Sequence, residues 1–152
     1  MRKSSLDSTD KRILRELRMN CRRSARELAS ELKLSPSSLI ERMKRMEQAG
    51  IIRGYSADLD FLRIGYEFQA LVQISISQGK LLEVQEKVSR IPGVYAVYDV
   101  TGSQDSIAFL MCRNRMELSS LIKKILSIPH VEKTNTSIIL NVLKDQNEFV
   151  DV

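Results

Sequence analysis

The sequence predicts an α+β chain in two parts, three short helices with an extended exit followed by a βαββαβ domain, and three observations carry that expectation. Two capped helix starts follow one another at Ser24 and Ser35. Near residue 68 the hydrophobic periodicity changes from helical to alternating. The charge is divided unevenly: residues 1–60 hold 14 Lys and Arg against 9 Asp and Glu, whereas residues 61–152 hold 10 against 10, so the net charge of +5 belongs to the first part.

Residues 6–20 read as the first helix, with Asp7 capping toward Asp10 and with Ile13, Leu14 and Leu17 on one apolar face. Ser24-Ala25-Arg26-Glu27 is a capping box in which hydroxyl and carboxylate satisfy each other's orphan backbone donors, so a second helix begins at Ala25 and turns Leu28, Ala29 and Leu32 inward. Ser35-Pro36 is a second N-cap, with proline where its missing N–H costs nothing, and predicts a third helix over 36–49 that Gly50 stops as a left-handed cap. Residues 51–59 alternate like a strand and predict a hairpin-like wing. Helix, turn, helix and wing in this order are the grammar of a winged helix-turn-helix, expected over residues 1–59. A basic excess confined to that part fits a phosphate-binding surface and double-stranded DNA as partner.

Residues 60–67 lose periodicity around Gly65 and read as a linker. Beyond it, Phe68, Ala70, Val72, Ile74 and Ile76 alternate with Gln69, Gln73, Ser75 and Ser77, the pattern of a half-buried strand. Residues 80–90 switch to helical spacing at Leu81, Val84, Val88 and Ile91; 94–101 and 107–112 read as strands. A helix over 117–126 on Leu118, Leu121, Ile122 and Ile125 precedes a last strand over 131–143. Ile91-Pro92-Gly93-Val94 and Ile128-Pro129-His130-Val131 repeat the same helix-to-strand corner 37 residues apart. Two interleaved βαβ units make a ferredoxin-like sandwich over 68–152, a four-stranded antiparallel sheet with both helices on one face. The bare face predicts a homodimer packed sheet on sheet.

With 43% hydrophobic and 28% charged residues the composition is that of an ordinary globular protein. No stretch approaches the roughly 18 apolar residues of a membrane span, and residues 1–5 lack the apolar run of a signal peptide, so a cytoplasmic, nucleoid-associated location and no membrane partner are expected. Cys21 and Cys112 lie 91 residues apart with one histidine, His130, to join them, too few ligands for structural zinc. Each cysteine reads as a small hydrophobe and His130 as a turn residue. Nucleophile elbow, P-loop, glycine fingerprint and HExxH are absent from the sequence, so no enzyme, metal or cofactor is expected.

On the third helix Leu39, Met43 and Met46 form the core side with Ile40 flanking, while Ser37, Ser38, Glu41, Lys44, Arg45 and Gln48 point away. Its N-terminal half is the part that enters a major groove, which brings Ser35, Ser37, Ser38, Glu41, Lys44 and Arg45 nearest DNA and leaves Arg42 on the flank toward the backbone. Arginine donates twice to guanine, and a carboxylate such as that of Glu41 accepts from cytosine. Arg22, Arg23 and Arg26 around the second helix start, with Arg53 in the wing, read as phosphate contacts that position without specifying.

In series, these parts resemble the Lrp/AsnC family, the feast/famine regulators of bacteria and archaea. The matching residues are Leu6-Asp7, Asp10, Ile13-Leu14, Arg23, Glu27-Leu28-Ala29, Leu34-Ser35, Leu39, Arg42-Met43, Met46-Glu47, Gly50-Ile51-Ile52 and Gly54-Tyr55. In the second part the family's G-x-x-D turn stands as Gly102-Ser103-Gln104-Asp105, and its closing strand as Val131, Thr134, Thr136 and Lys144. The resemblance implies a RAM/ACT-like second domain that assembles dimers into larger rings, often octamers, and binds an amino-acid effector. It places that effector at Tyr98, Thr101, Gly102, Ser103, Gln104 and Asp105 with the facing Thr134 and Thr136. An α-amino group suits the Asp105 carboxylate, and an α-carboxylate suits exposed backbone N–H groups and small hydroxyls. Many relatives carry an acidic or aromatic residue where Ser103 and Gln104 stand, so a neutral polar amino acid such as glutamine is expected over lysine or arginine. Two rivals remain, a nucleoid architectural protein that ignores small molecules and an amino-acid-sensing regulatory subunit of a metabolic enzyme; the basic helix-turn-helix weighs against the second.

Overall fold

The computed structural model describes residues 6–145, in two compact units, one reaching to Asp58 together with Lys144 and Asp145 and the other spanning Leu59–Leu143. The outer parts of the expected domains, residues 1–5 and 146–152, lie outside the described residues.

The first unit holds α1 (Ser8–Met19), α2 (Ala25–Leu32) and α3 (Pro36–Gln48). Asp7 caps α1 in a reciprocal box with Asp10, Ser24 and Glu27 do the same for α2, and Ser35 accepts from the Ser38 N–H ahead of α3. α3 ends in a Schellman motif: Gly50, at φ 69°, donates to the Glu47 carbonyl and Ile51 to that of Met46, both at 2.9 Å. The turn between α2 and α3 uses the same left-handed device at Lys33, φ 57°, without a glycine. Ile13, Leu28, Ala29, Leu32, Leu39 and Met46 close a core that Met43 and Ile51 flank. Ile40 differs from expectation: it is 43% exposed and stands outside that core.

The wing also differs. Residues 51 and 52 form a bend and 53–60 no strand, and none of the four strands among the described residues pairs with them. A side-chain tether stands in place of strand pairing, with the Tyr55 hydroxyl donating to Glu47 Oε1 at 2.8 Å.

The second unit is β1 (Phe68–Ile76), α4 (Leu81–Ser89), β2 (Val94–Asp99), β3 (Ser106–Cys112), α5 (Arg115–Leu126) and β4 (Val131–Ile139). The strands run antiparallel in the order β2-β3-β1-β4, the ferredoxin-like arrangement. Ala70, Val72, Ile74 and Ile76 of β1 with Ala108, Leu110 and Cys112 of β3 meet Val84 and Val88 of α4 and Leu118, Leu121 and Ile125 of α5 in one core, so both helices cover one face. β4 is shorter than expected, and α5 begins two residues early on an Asn114 cap that accepts from the Glu117 N–H at 2.9 Å. Both repeated corners turn through left-handed backbone, Gly93 at φ 95° and His130 at φ 76°. The stretch 60–67 is folded within this unit: Phe61 meets the Tyr66 ring edge-on at 6.0 Å, and the Arg113 guanidinium lies over Tyr66 at 5.2 Å.

Candidate nucleic-acid interface and effector loop

The face of α3 left by the core is a polar one. Ser37, Glu41, Lys44, Arg45 and Gln48 are exposed and Ser38 and Arg42 half-buried; Ser38, Glu41, Arg42, Lys44, Arg45 and Gln48 line a shallow, open depression along it. The start is stiffened by Ser35, whose hydroxyl lies 3.1 Å from that of Ser37. Serine suits this helix start because its hydroxyl can cap the backbone.

The arginines divide into paired and unpaired. Arg42 Nη1 donates to Asp7 Oδ2 at 2.6 Å and to Asp10 Oδ1 at 2.8 Å, and Arg45 Nη2 donates to Asp10 Oδ2 at 2.7 Å. Asp10 is 1% exposed, so α1 delivers a buried carboxylate under two arginines of α3. The Arg42 guanidinium holds the Asp7 carboxyl below the usual carboxylate range. Arg23 ties α1 to α2, donating to Glu16 Oε2 at 2.7 Å and to Glu31. By contrast the side chains of Arg22, Arg26, Lys44 and Arg53 are exposed and make no ion pair among the described residues. The sequence reads Asp7 and Asp10 as caps of α1 and as part of the family pattern, not as partners of arginines. Their link to arginines 32 to 35 residues later is a tertiary contact with no local signal.

In the second unit the loop between β2 and β3 is built onto the end of β1. The Asp105 N–H donates to the Ile74 carbonyl at 3.1 Å, Asp105 Oδ2 accepts from the Ile76 N–H at 2.7 Å, and Gln104 Oε1 accepts from Ser75 Oγ at 2.8 Å. The Val100 N–H donates to the Asp105 carbonyl at 3.3 Å and closes the loop, leaving Thr101, Gly102 and Ser103 exposed, with Gly102 at φ 131°. Thus Asp105, expected as partner of an amine, already serves the backbone of β1 through one of its oxygens.

Strand register sorts the remaining residues by face, because directly paired residues share a side of the sheet. Tyr98 pairs with Ile107, and its ring meets Phe109 edge-on at 5.8 Å; Tyr95 lies 5.9 Å from Phe109 on its other flank. With Leu71, Gln73 and Ser75 of β1 these lie on the face away from the helices, where Asn135 donates to Gln73 at 3.2 Å. Thr134 and Thr136 pair with the buried Ile74 and Val72, which places them on the helix side. Within one chain, therefore, the threonines and Tyr98 lie on opposite faces of the sheet. The residues expected to bind effector are gathered at the same end of β1 but not in one pocket.

Comparison with known proteins returns the same two parts. Residues 69–149 match the family profile described as the Lrp/AsnC ligand binding domain, and residues 6–53 the one described as winged helix-turn-helix DNA-binding. An uncharacterised HTH-type transcriptional regulator of Pyrococcus abyssi is 36% identical over 140 residues, covering 92% of this chain and 95% of its own. The structure of AsnC of E. coli superposes with a TM-score of 0.86 at 29% identity over 93% of this chain and 97% of that one. A transcriptional regulator of Neisseria meningitidis, solved as a complex with L-Met, gives 0.85 at 30% identity over 93% and 94%.

Proposed function

This chain belongs to the Lrp/AsnC family of DNA-binding transcriptional regulators that carry a ligand-binding domain, and from that premise we propose that it reads an inverted-repeat operator through α3 and answers to a neutral amino acid. The observation that carries the reading is the exposed face of α3, a row of Ser37, Glu41, Lys44, Arg45 and Gln48 on a rigid, doubly capped helix. Arg45 supplies the donor pair that suits guanine and Glu41 the acceptor that suits cytosine. Arg22, Arg26 and Arg53 supply cations for phosphates. Ser35, Ser37, Ser38 and Lys44 fill the contact between them.

A second copy covers the bare sheet face. Tyr95 and Tyr98, 53% and 47% exposed, flank the half-buried Phe109 there, an apolar surface that a two-fold pairing would bury. The paired recognition helices then meet half-sites about 34 Å apart. Dimers assemble further, to an octamer or similar ring, and the effector binds where dimers meet, so that Thr134 and Thr136 of one copy can face the loop 101–105 and Tyr98 of another. L-Met on the Neisseria regulator supports an amino acid as ligand. The uncharged Ser103 and Gln104 beside Asp105 favour a neutral one over lysine or arginine. Such a regulator works in the cytoplasm, on the nucleoid.

Substitution separates the two kinds of DNA contact. Arg45→Ala should cost about 1–3 kcal/mol on the selected operator and relax its sequence preference, whereas Arg26→Ala should weaken all duplexes alike and lower the salt slope by about one. Arg26 is the cleaner phosphate probe than Arg23, which also joins Glu16 and Glu31. A flat loss across sequences for Arg45→Ala contradicts the assignment of α3 as the reading helix.

A further inference from the structure

We propose that Asp10, on α1 and away from any base, is a positioning residue that sets the DNA selectivity of α3 by holding Arg45 in one orientation; the proposal rests on the reading that the exposed face of α3 meets DNA. Arg45 is a paradox on its own terms. Its side chain is 60% exposed, where an arginine is ordinarily free to sample many rotamers, yet one guanidinium nitrogen sits 2.7 Å from a carboxylate whose side chain is 1% exposed. That carboxylate cannot swing with it. Asp10 Oδ1 accepts from Arg42 Nη1 at 2.8 Å, and Oδ2 accepts from the Asp7 N–H at 3.3 Å as well as from Arg45. The anchor is fixed from three sides, and the remaining donors of the Arg45 fork have no other partner among the described residues.

Two consequences follow from this geometry. A pre-ordered fork loses little freedom when it meets a base edge, so more of its hydrogen bonding appears as preference for the right base. At the same time the buried negative charge offsets the field of Arg42 and Arg45, which lowers their attraction for any phosphate. Asp10 therefore raises the ratio of selected to unselected binding from both ends.

The test uses the full-length protein, a duplex enriched by the wild type from a random library, and a shuffled duplex of equal length. Asp10→Asn keeps shape and removes charge. It should tighten binding to the shuffled duplex and cut the preference ratio roughly tenfold, the discrimination that one arginine fork on a base edge provides. Asp10→Asn combined with Arg45→Ala should lose no more preference than Arg45→Ala alone, since one acts through the other. Asp7→Asn adds the same charge, still caps α1 and leaves the Arg45 bond, so it should tighten both duplexes and keep the ratio. Should Asp10→Asn not fold, side-chain nitrogen resonances of arginine-labelled wild type, assigned with Arg45→Lys, decide: separate Nη signals for Arg45 support the anchor and a single averaged signal overturns it. The proposal is also overturned if Asp10→Asn keeps the ratio, if it weakens both duplexes in step with its thermal stability, or if the double variant is additive. A wild type that enriches no sequence removes the reading of α3 before any variant is made, and this proposal with it.

Discussion

Asp105 carries two roles that one pair of substitutions can separate. Its carboxylate accepts from the Ile76 N–H at 2.7 Å, at the point where the pairing of β1 with β4 shifts register. Ile76 is 7% exposed, so without that acceptor its N–H has poor access to water. A hydrogen bond to a charged group is worth about 1.5–3 kcal/mol, and because Asp105 itself is exposed the lower part of that range applies. Asp105→Ala should destabilise by about 1–2 kcal/mol. Asp105→Asn keeps an amide oxygen at the same place and should cost less than about 1 kcal/mol. If the carboxylate also receives an α-amino group, both variants lose amino-acid binding while both keep DNA binding. Urea unfolding followed by circular dichroism reads the first role, and titration calorimetry with amino acids reads the second. An Asp105→Ala variant as stable as the wild type refutes the structural role. An Asp105→Asn variant that binds its amino acid undiminished refutes the amine contact.

The two repeated corners make a matched pair. A Cβ at Gly93 would lie 2.8 Å from Leu121 Cδ1, and Leu121 is buried, so Gly93→Ala meets both the left-handed penalty and a clash and should cost about 2–4 kcal/mol in urea unfolding. His130 already carries a side chain at φ 76° and is exposed, so His130→Ala should stay within about 0.5 kcal/mol; equal losses at both positions contradict the reasoning. Burial, then the hydrogen bond to Glu47, pushes the Tyr55 hydroxyl up to about 12. A raised value means that this contact contributes below the unfolded value near 10 and is lost as pH rises through about 12. Ultraviolet titration should show a tyrosine step near 12 that Tyr55→Phe removes; a wild type without that step contradicts the tether.

Most of the architecture was legible because its signals are local. The helix caps at Ser24 and Ser35, the Gly50 stop and the alternation along β1 each report their own element, and the successive changes of hydrophobic period from residue 68 on carry the βαββαβ order. Over 51–59 alternation measures compatibility with a strand and not the presence of a partner strand; the stretch forms no strand, and the Tyr55 hydroxyl bonds Glu47. The site was legible only by residue type. Arg42 and Arg45 could be placed on α3, but their anchor on Asp10 of α1 requires the folded chain. Likewise Thr134 and Thr136 were expected to share a site with Tyr98, and only the register of β4 against β1 shows them on the other face of the sheet.

The measurement that bears most directly on an effector-gated regulator is made on one sample: light-scattering mass and affinity for a selected duplex, with and without a pool of amino acids at millimolar concentration. The account predicts that the pool shifts both quantities, that dividing it leads to a neutral amino acid, and that the selected duplex holds two half-sites one helical turn apart. A protein that binds the duplex with the same mass and affinity whatever amino acid is present contradicts it and leaves an architectural DNA-binding protein in its place.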